Sequence, residues 1–335
     1  MGRFIGGRFG DVVDGDAGEA PSSVYSSADQ YWMSRNDAWE SLPFSATGGA
    51  KYTPGNGYIY HLYEFSDGAT TLQVTGKKDV DILLIAGGGA GGAGYYSGGG
   101  GAGQVVEGVA VEVNQENYNV KVGAGGTGVA SAATQAFPGN HTYFGNPTNT
   151  WAVIAMGGGA GGSGPHPTAS DGDDGGSGGG SSYYISPGQG SALGITPLNP
   201  GLPSVPGSWT AYGNDSSTSR GGGVTGAGGG GAGATAATNN GGAGKAFGRW
   251  PSSVLPAVSP LNPFMGPTGN YWAGGGGAGP AGGASPYGGG GAAGGASGTD
   301  GKDLLGSGGG GTSSPTSNVQ SGDGGNGIIV VRYLA

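Results

Sequence analysis

Val80-Asp-Ile-Leu-Leu-Ile-Ala-Gly-Gly-Gly-Ala-Gly-Gly92 joins two unlike kinds of chain. From Val80 to Ala86 apolar side chains fall on both faces of an extended run, the pattern of a central strand covered on each side. From Gly87 onward side chains almost vanish. The same junction recurs at Val120-Lys-Val-Gly-Ala-Gly-Gly126 and at Ala155-Met-Gly-Gly-Gly-Ala-Gly-Gly162, and it is written in reverse at Gly325-Asn-Gly-Ile-Ile-Val-Val-Arg-Tyr333. That closing run is dense enough for a buried strand but has nothing local to pair with. It is therefore expected to return to the sheet begun near Val80, with the glycine blocks projecting between first and last strands.

Working outward, Tyr58-Ile-Tyr-His-Leu-Tyr-Glu-Phe65 and Thr70-Thr-Leu-Gln-Val-Thr75 are rich in aromatic and β-branched residues, with a hairpin-like turn at Ser66-Asp-Gly-Ala69. Gln104–Val113 and Tyr118–Val122 alternate apolar with polar or small residues on either side of a polar turn, and Trp151–Met156 is a further strand candidate. These runs predict a mainly β fold with little helix, a β-sandwich-like set of strands closed by the C-terminal strand. Residues 1–50 read as an arm too short for its own core. Residues 51–335 read as one glycine-rich β domain, strand-rich over 51–156, a Gly/Pro-rich loop zone over 157–326 and a closing strand over 327–333.

The chain has 87 Gly and 20 Pro in 335 residues, a level at which aperiodic sequences are usually disordered. Its 16 Tyr, 8 Phe and 6 Trp argue for burial instead. Collagen is excluded because Gly87–Gly101 does not keep glycine in every third position. Extended left-handed segments of the polyproline II type accept runs of glycine and, lacking side chains, pack backbone on backbone and share N–H to C=O bonds. So little side-chain core predicts assembly of several copies. A net charge of −9 with only 12 Lys plus Arg provides no basic stripe for nucleic acid or an anionic membrane. No cysteine is present for disulfides or thiolate metal sites. Met1-Gly-Arg-Phe-Ile-Gly-Gly-Arg8 is not followed by an apolar run long enough for a signal peptide or a span, which predicts synthesis in a cytoplasm.

No catalytic constellation emerges, and the expectation is a protein that is not an enzyme and takes no cofactor. Gly87, Gly89 and Gly92 follow a strand at dinucleotide-fingerprint spacing, but the pattern recurs at Gly157, Gly159 and Gly162 and opens no helix in either place, so it reads as a glycine-block junction. Asp171-Gly-Asp-Asp174 resembles the start of a calcium loop, yet Ser182 stands where the bidentate acid belongs; a solvated acidic turn is the default, with calcium left open. His61, His141 and His166 have no metal-ligand spacing. The remaining candidates are aromatics beside Gly or Pro breaks, where a loop tip presents a flat ring to a sugar or a partner surface. These are Tyr95, Tyr96, Tyr183, Tyr184, Trp209, Tyr212, Trp250, Phe264, Tyr271, Trp272 and Tyr287, of which Tyr183–Tyr184 and the insertion from Trp209 to Arg220 are singled out as receptor-facing.

Taken in order, Val80–Gly92, Val120–Gly128, Thr142-Tyr-Phe-Gly145, Ala155–Gly162 and Gly325–Tyr333 resemble the glycine-rich domain of bacteriophage tail-fibre and tail-associated proteins over about residues 55 to 335. Ser26–Trp39 resembles the N-terminal segment of structural proteins from marine and cyanobacterial phages. The resemblance implies a virion protein, made in the host cytoplasm, whose packed polyglycine II helices display loops to a host surface glycan or outer-membrane receptor. It also implies that the arm, through Arg3, Phe4, Arg8, Phe9, Tyr31, Trp32 and Trp39, docks onto other tail or virion proteins. The long Pro-rich and aromatic insertions depart from that pattern and imply a compact tip rather than a long fibre.

Overall fold

The computed structural model describes residues 43–131, 134–146, 151–164, 170–183, 205–218, 225–250, 253, 255, 270–295, 297–314 and 320–335. The described chain is a β-sandwich that continues into a bundle of glycine helices. Thirteen strands are present among the described residues: β1 (Ser45–Thr47), β2 (Ala50–Tyr52), β3 (Tyr58–Glu64), β4 (Ala69–Thr75), β5 (Lys78–Ile85), β6 (Val105–Val113), β7 (Asn117–Lys121), β8 (Thr142–Gly145), β9 (Ala152–Ala155), β10 (Ser208–Tyr212), β11 (Lys245–Ala246), β12 (Tyr271–Trp272) and β13 (Ile328–Leu334). One sheet has the order β1-β4-β7-β8-β9, the other β10-β6-β5-β13-β3-β2, and β11 with β12 forms a small third ladder. All pairings within the three are antiparallel.

The closing strand returns as its composition demands. β13 inserts between β3 and β5, with Ile328 opposite both Glu64 and Ile85. Ile82, Leu84, Val106, Ile329 and Val331 point into the sandwich against Leu72, Tyr118, Val120, Phe144 and Val153 of the five-stranded sheet. On the reverse face Tyr60, Leu62, Leu83, Ile85, Ile328 and Val330 are covered by Phe247, Trp250, Trp272 and Leu305. The six-stranded sheet is thus buried on both sides, which accounts for the unbroken apolar run from Ile82 to Ala86. Each such aliphatic side chain removed from water contributes about 1.5–3 kcal/mol.

Two expected turns do something else. β3 and β4 do not form a hairpin: the 3-10 turn Phe65–Asp67, ending at Gly68 with φ 68°, carries the chain from the six-stranded to the five-stranded sheet. The polar segment after β6 likewise crosses between sheets to β7. Both runs have one face in the common core, and crossing lets consecutive strands bury that face from opposite sides. Short strands β1 and β2, linked through Gly48 and Gly49 at φ 117° and 61°, join one edge of each sheet. The boundary expected after residue 50 therefore falls inside the sandwich. A Cβ on Gly48 would stand 2.3 Å from the Thr71 carbonyl oxygen, so no larger residue fits this crossing.

The glycine blocks leave and re-enter the sandwich as polyglycine II helices. Gly87–Gly103 departs from β5 and returns to β6; Gly123–His141 departs from β7 and returns to β8. Hydrogen bonding along Gly87–Gly92 has a period of three. Gly87 and Ala90 donate to Asn140 and Phe137, Gly88 and Gly91 to Gly325 and Gly322, and Gly89 and Gly92 to Gly101 and Gly98, at 2.8–3.1 Å. That is the repeat of a left-handed helix with three residues per turn, each side of which faces a different neighbour. Segment 98–104 repeats it: 98, 101 and 104 donate to 162, 159 and 156, 99 and 102 to 227 and 230, 100 and 103 to 309 and 306.

Sterics make glycine obligatory there. A Cβ on Gly100 would lie 2.1 Å from the Gly89 oxygen, and one on Gly88 2.1 Å from the Ser307 oxygen. Where alanine enters, its methyls can collect, as those of Ala90, Ala93, Ala136 and Ala160 do around Val129. At the periphery, where a neighbouring helix is missing, side chains at the same spacing of three supply the acceptor. Gly125 and Gly128 donate to Asn326 Oδ1 and Asp323 Oδ1, while Asp323 and Asn326 donate from their own backbones to Asp300 Oδ1 and Asp303 Oδ1, at 2.6–2.9 Å.

Candidate functional site

The bundle has two unlike ends. At the first, the chain passes into strands: Ala86 toward β5, Gln104 into β6, Met156 from β9 and Gly327 into β13. At the far end the described residues hold turns such as Gly94–Ser97 and no named strand. There Ser97 N–H and the Thr312 carbonyl meet at 3.1 Å, Gly279 N–H reaches the Ser97 carbonyl at 3.0 Å, and Gly226 N–H reaches Gly279 at 3.0 Å. Tyr95 N–H bonds to Gly164 at 2.8 Å and Tyr183 N–H to Tyr96 at 3.0 Å. Gly164, Tyr183 and Ser170 thus lie at this end.

Where glycine helices stop, hydroxyls replace the missing neighbours. Ser97 Oγ lies 2.7 Å from the Gly92 carbonyl oxygen and accepts the Thr312 N–H at 2.7 Å. Thr312 Oγ1 accepts Gly94 N–H at 2.8 Å, Ser163 Oγ accepts Ala93 N–H at 3.1 Å, and Ser170 Oγ accepts Ser163 N–H at 2.9 Å. The end is therefore fixed by buried hydroxyls, the role that N-caps play for α-helices.

Three half-buried tyrosines stand on this base. The Tyr95 and Tyr96 rings meet edge to face with centroids 4.1 Å apart, and Tyr96 meets Tyr183 in the same manner at 5.6 Å. Tyr96 has φ 58°, a left-handed conformation that costs an L-residue about 1–2 kcal/mol. Tyr95, Tyr96 and Tyr183 were all legible in the sequence as candidates; that they meet was not, although Gly94-Tyr-Tyr-Ser97 between two glycine blocks is the signal of a tight turn.

The other sequence candidates lie elsewhere. Trp250 and Trp272 are fully buried, which corrects their reading as candidate rings presented by a loop tip to a sugar or a partner surface. Trp250 Nε1 donates to Glu107 Oε1 at 2.8 Å, and the Arg332 guanidinium lies over its ring. Trp209 and Tyr212 belong to edge strand β10; the Trp209 indole covers Gly108 and donates to the Pro206 carbonyl at 2.8 Å, while Tyr212 packs edge-on against Phe247 beneath Lys245. Tyr271 and Tyr287 form a ring pair with centroids 4.9 Å apart, Tyr287 being 38% exposed. They sit beside the β11–β12 ladder at the sheet end, so they share no surface with Tyr183. Tyr184, Phe264, His166 and the arm residues Arg3, Phe4, Arg8, Phe9, Tyr31, Trp32 and Trp39 lie outside the described residues.

The chemistry-bearing motifs resolve into structural roles. Every N–H of the two fingerprint-like triplets is taken: Gly89, Gly92, Gly159 and Gly162 by backbone carbonyls, Gly87 by Asn140 and Gly157 by His141 Nδ1. None is left to cradle a pyrophosphate. His61 is fully buried, with Nδ1 2.7 Å from the Gly48 oxygen and Nε2 3.2 Å from the Tyr333 hydroxyl. Asp173 has its carboxyl pushed above the ordinary range by burial, and Gln135 Nε2 bonds the Asp171 carbonyl at 3.3 Å. Among the described residues no three His, Cys, Asp or Glu converge as metal ligands. No helix among them is long and apolar enough to cross a membrane.

A search of curated proteins finds no match to the chain. The sequence profile of the glycine-rich domain matches residues 65–334, from the crossover after β3 to the end of β13, a span that holds the junctions, the bundle and the closing strand, and the chain belongs to that family.

Proposed function

We propose that this protein is a structural component of a bacteriophage virion, a tail-fibre or tail-tip adhesin that binds the host cell surface. The observation that supports this reading is the polarity of the bundle: one end is anchored in a double-covered sheet, and the other, among the described residues, carries turns and no named strand on a glycine scaffold. Such a division suits recognition, because loops held by a stiff base lose little entropy on binding. The ordered junctions from Val80 to Tyr333 support the virion assignment by their resemblance to tail-associated proteins. In this reading the arm, with Arg3, Phe4, Arg8, Phe9, Tyr31, Trp32 and Trp39, docks onto another tail protein, and several copies, three by analogy with fibres, assemble in the particle.

Purified protein is expected to bind host cells and to compete with phage adsorption. No competition at saturating protein overturns the receptor role. Antibody labelling of intact particles is expected to mark the tail; label spread over the head instead assigns the protein to capsid decoration.

A further inference from the structure

We propose that Asn56 is a self-modification site, where the Gly57 backbone nitrogen displaces the side-chain amide as ammonia and leaves an aspartyl or isoaspartyl residue; the inference is independent of the adhesin reading. Asn-Gly occurs three times, at Asn56-Gly57, Asn240-Gly241 and Asn326-Gly327, so the dipeptide alone does not single one out. The surroundings do.

The reaction needs a free backbone nitrogen and room for a five-membered ring. Gly241 and Gly327 are buried, and their N–H groups are bound to the Gly283 and Gly123 carbonyls at 3.2 and 3.0 Å. A Cβ on either would stand 1.9 Å from the Gly275 oxygen or 2.1 Å from the Ile85 oxygen. Ring closure at these sites would forfeit a buried hydrogen bond and displace a packed neighbour. Gly57 is different. It is exposed, its N–H donates to no described residue, and a Cβ there would meet nothing within 4 Å.

The Asn56 amide is also held at both ends. Its Oδ1 accepts the Tyr58 N–H at 3.1 Å, so a donor already sits where negative charge develops when the nitrogen adds to Cγ. Its Nδ2 lies 3.0 Å from the Tyr60 hydroxyl, which can protonate the leaving nitrogen. The Tyr60 ring is fixed, being 1% exposed. In the first step the Gly57 N–Cγ bond forms, the Cγ–Nδ2 bond breaks, and ammonia departs with a proton from Tyr60, which solvent returns from the Gly57 nitrogen. Water then opens the ring. Attack at Cγ restores the ordinary linkage as aspartate, whereas attack at the Asn56 backbone carbonyl leaves the chain running through Cβ and Cγ. Either product adds a negative charge, and the second lengthens the main chain just before Tyr58, where the Gly57 carbonyl accepts the Ala335 N–H at 3.0 Å and Tyr58 pairs with Leu334.

The test incubates the folded full chain at neutral pH beside the same chain in urea, and follows each Asn-Gly site by peptide mass mapping and released ammonia. Asn56 is expected to lose its amide faster folded than in urea, while Asn240 and Asn326 lose theirs more slowly folded than in urea. Tyr60→Phe keeps the core ring and is expected to slow Asn56 in the folded chain roughly tenfold or more, with the rate in urea unchanged. Asn56→Gln, which must close a larger ring, is expected to release no ammonia from this position on the same timescale. An Asn56 that keeps its amide as long folded as in urea, an Asn240 or Asn326 that keeps pace with it in the folded chain, or a parent-like rate in folded Tyr60→Phe overturns the proposal. Should Tyr60→Phe not fold, the folded-against-urea comparison of the parent chain decides alone.

Discussion

Replacing Gly100 by alanine tests the bundle at its centre. Gly100 N–H donates to the Gly309 carbonyl at 2.9 Å, its own carbonyl accepts from Gly276 at 2.8 Å, and its missing Cβ faces the 87–92 helix. An added methyl would meet the Gly89 oxygen at 2.1 Å and the Ala90 oxygen at 2.7 Å, where ordinary contact begins at 3.4 Å. The 87–92 helix must therefore retreat by more than 1 Å from 98–103. The two bonds that join these helices, Gly89 N–H to Gly101 at 2.8 Å and Gly92 N–H to Gly98 at 2.9 Å, are then stretched or broken. Overpacking costs about 1–3 kcal/mol and each buried donor left unpaired a similar amount, so the expected loss is about 4–6 kcal/mol. That is a large share of the roughly 5–15 kcal/mol that holds a domain together. Gly295→Ala is the matched control, because a Cβ there meets nothing within 4 Å. It is expected to be neutral or to stabilise by about 0.4–1 kcal/mol through the unfolded chain. Guanidinium unfolding followed by tryptophan fluorescence reads both. A Gly100→Ala protein within about 1 kcal/mol of the parent would refute the close-packed bundle.

Burial holds the imidazole of His61 below its ordinary pKa of 6.5, with the Lys51 charge acting the same way and the Gly48 carbonyl opposing them. The unfolded chain therefore binds a proton that the folded chain resists, so His61 contributes its full stability above pH 6.5 and loses it as pH falls toward the folded value. Unfolding free energies measured from pH 7.5 to 5 are expected to decline with a slope of at most about 1.4 kcal/mol per pH unit from this group, and the decline should flatten in His61→Gln. Arg332 donates through Nε and Nη2 to Asp81 Oδ2 at 3.1 and 2.9 Å, and through Nη1 to the Arg249 carbonyl at 2.6 Å. Arg332→Leu is expected to cost about 3 kcal/mol, much of it from the carboxylate left behind, and adding Asp81→Leu should restore part of the loss in a double-mutant cycle. Trp250→Ala should cost about 3–5 kcal/mol of stability, read by urea unfolding, while leaving host-cell attachment unchanged at temperatures where it stays folded.

Periodicity carried the sandwich because it is a local property. β3 to β7, β9 and β13 each announce themselves by alternation or by an apolar run, and their observed ends agree with the reading to within two residues. β1, β2, β10, β11 and β12 escaped it, being two to five residues long and edge or ladder strands whose pairing is decided by distant partners. The crossing after β3 was read as a hairpin-like turn and that after β6 as a polar turn for a related reason: a turn signal says that the chain reverses, not which sheet receives it. Trp250 and Trp272 stand beside Pro251 and Gly274, as loop-tip aromatics would, yet the outer face of the six-stranded sheet needed large rings to cover Leu83 and Val330. That demand lies far away in sequence. The tip cluster fell between these cases, since Tyr183 and Tyr96 become neighbours only when helices 87–92, 158–164 and 176–182 are placed side by side.

The pairing geometry of the bundle explains how one molecule combines so little side-chain core with so definite an end. A β-strand has two hydrogen-bonding neighbours, and its side chains must fill the space above and below it. A polyglycine II helix turns its N–H and C=O groups through three directions, so Gly98–Gly103 is tied to the 159–162, 227–230 and 306–309 segments while receiving bonds from 89–92, 177–180 and Gly276. Backbone alone then fills the cross-section. Interior positions such as Gly88, Gly100 and Gly276 admit one residue type because the next helix occupies the place of a Cβ. The constraint ends at the last hydrogen-bonded turn. There the described turn Gly94–Ser97 carries two tyrosines and a serine between glycine segments. Sterics thus set the bundle interior apart from its connections at the level of single residues, and the proposed adhesin role draws on that separation.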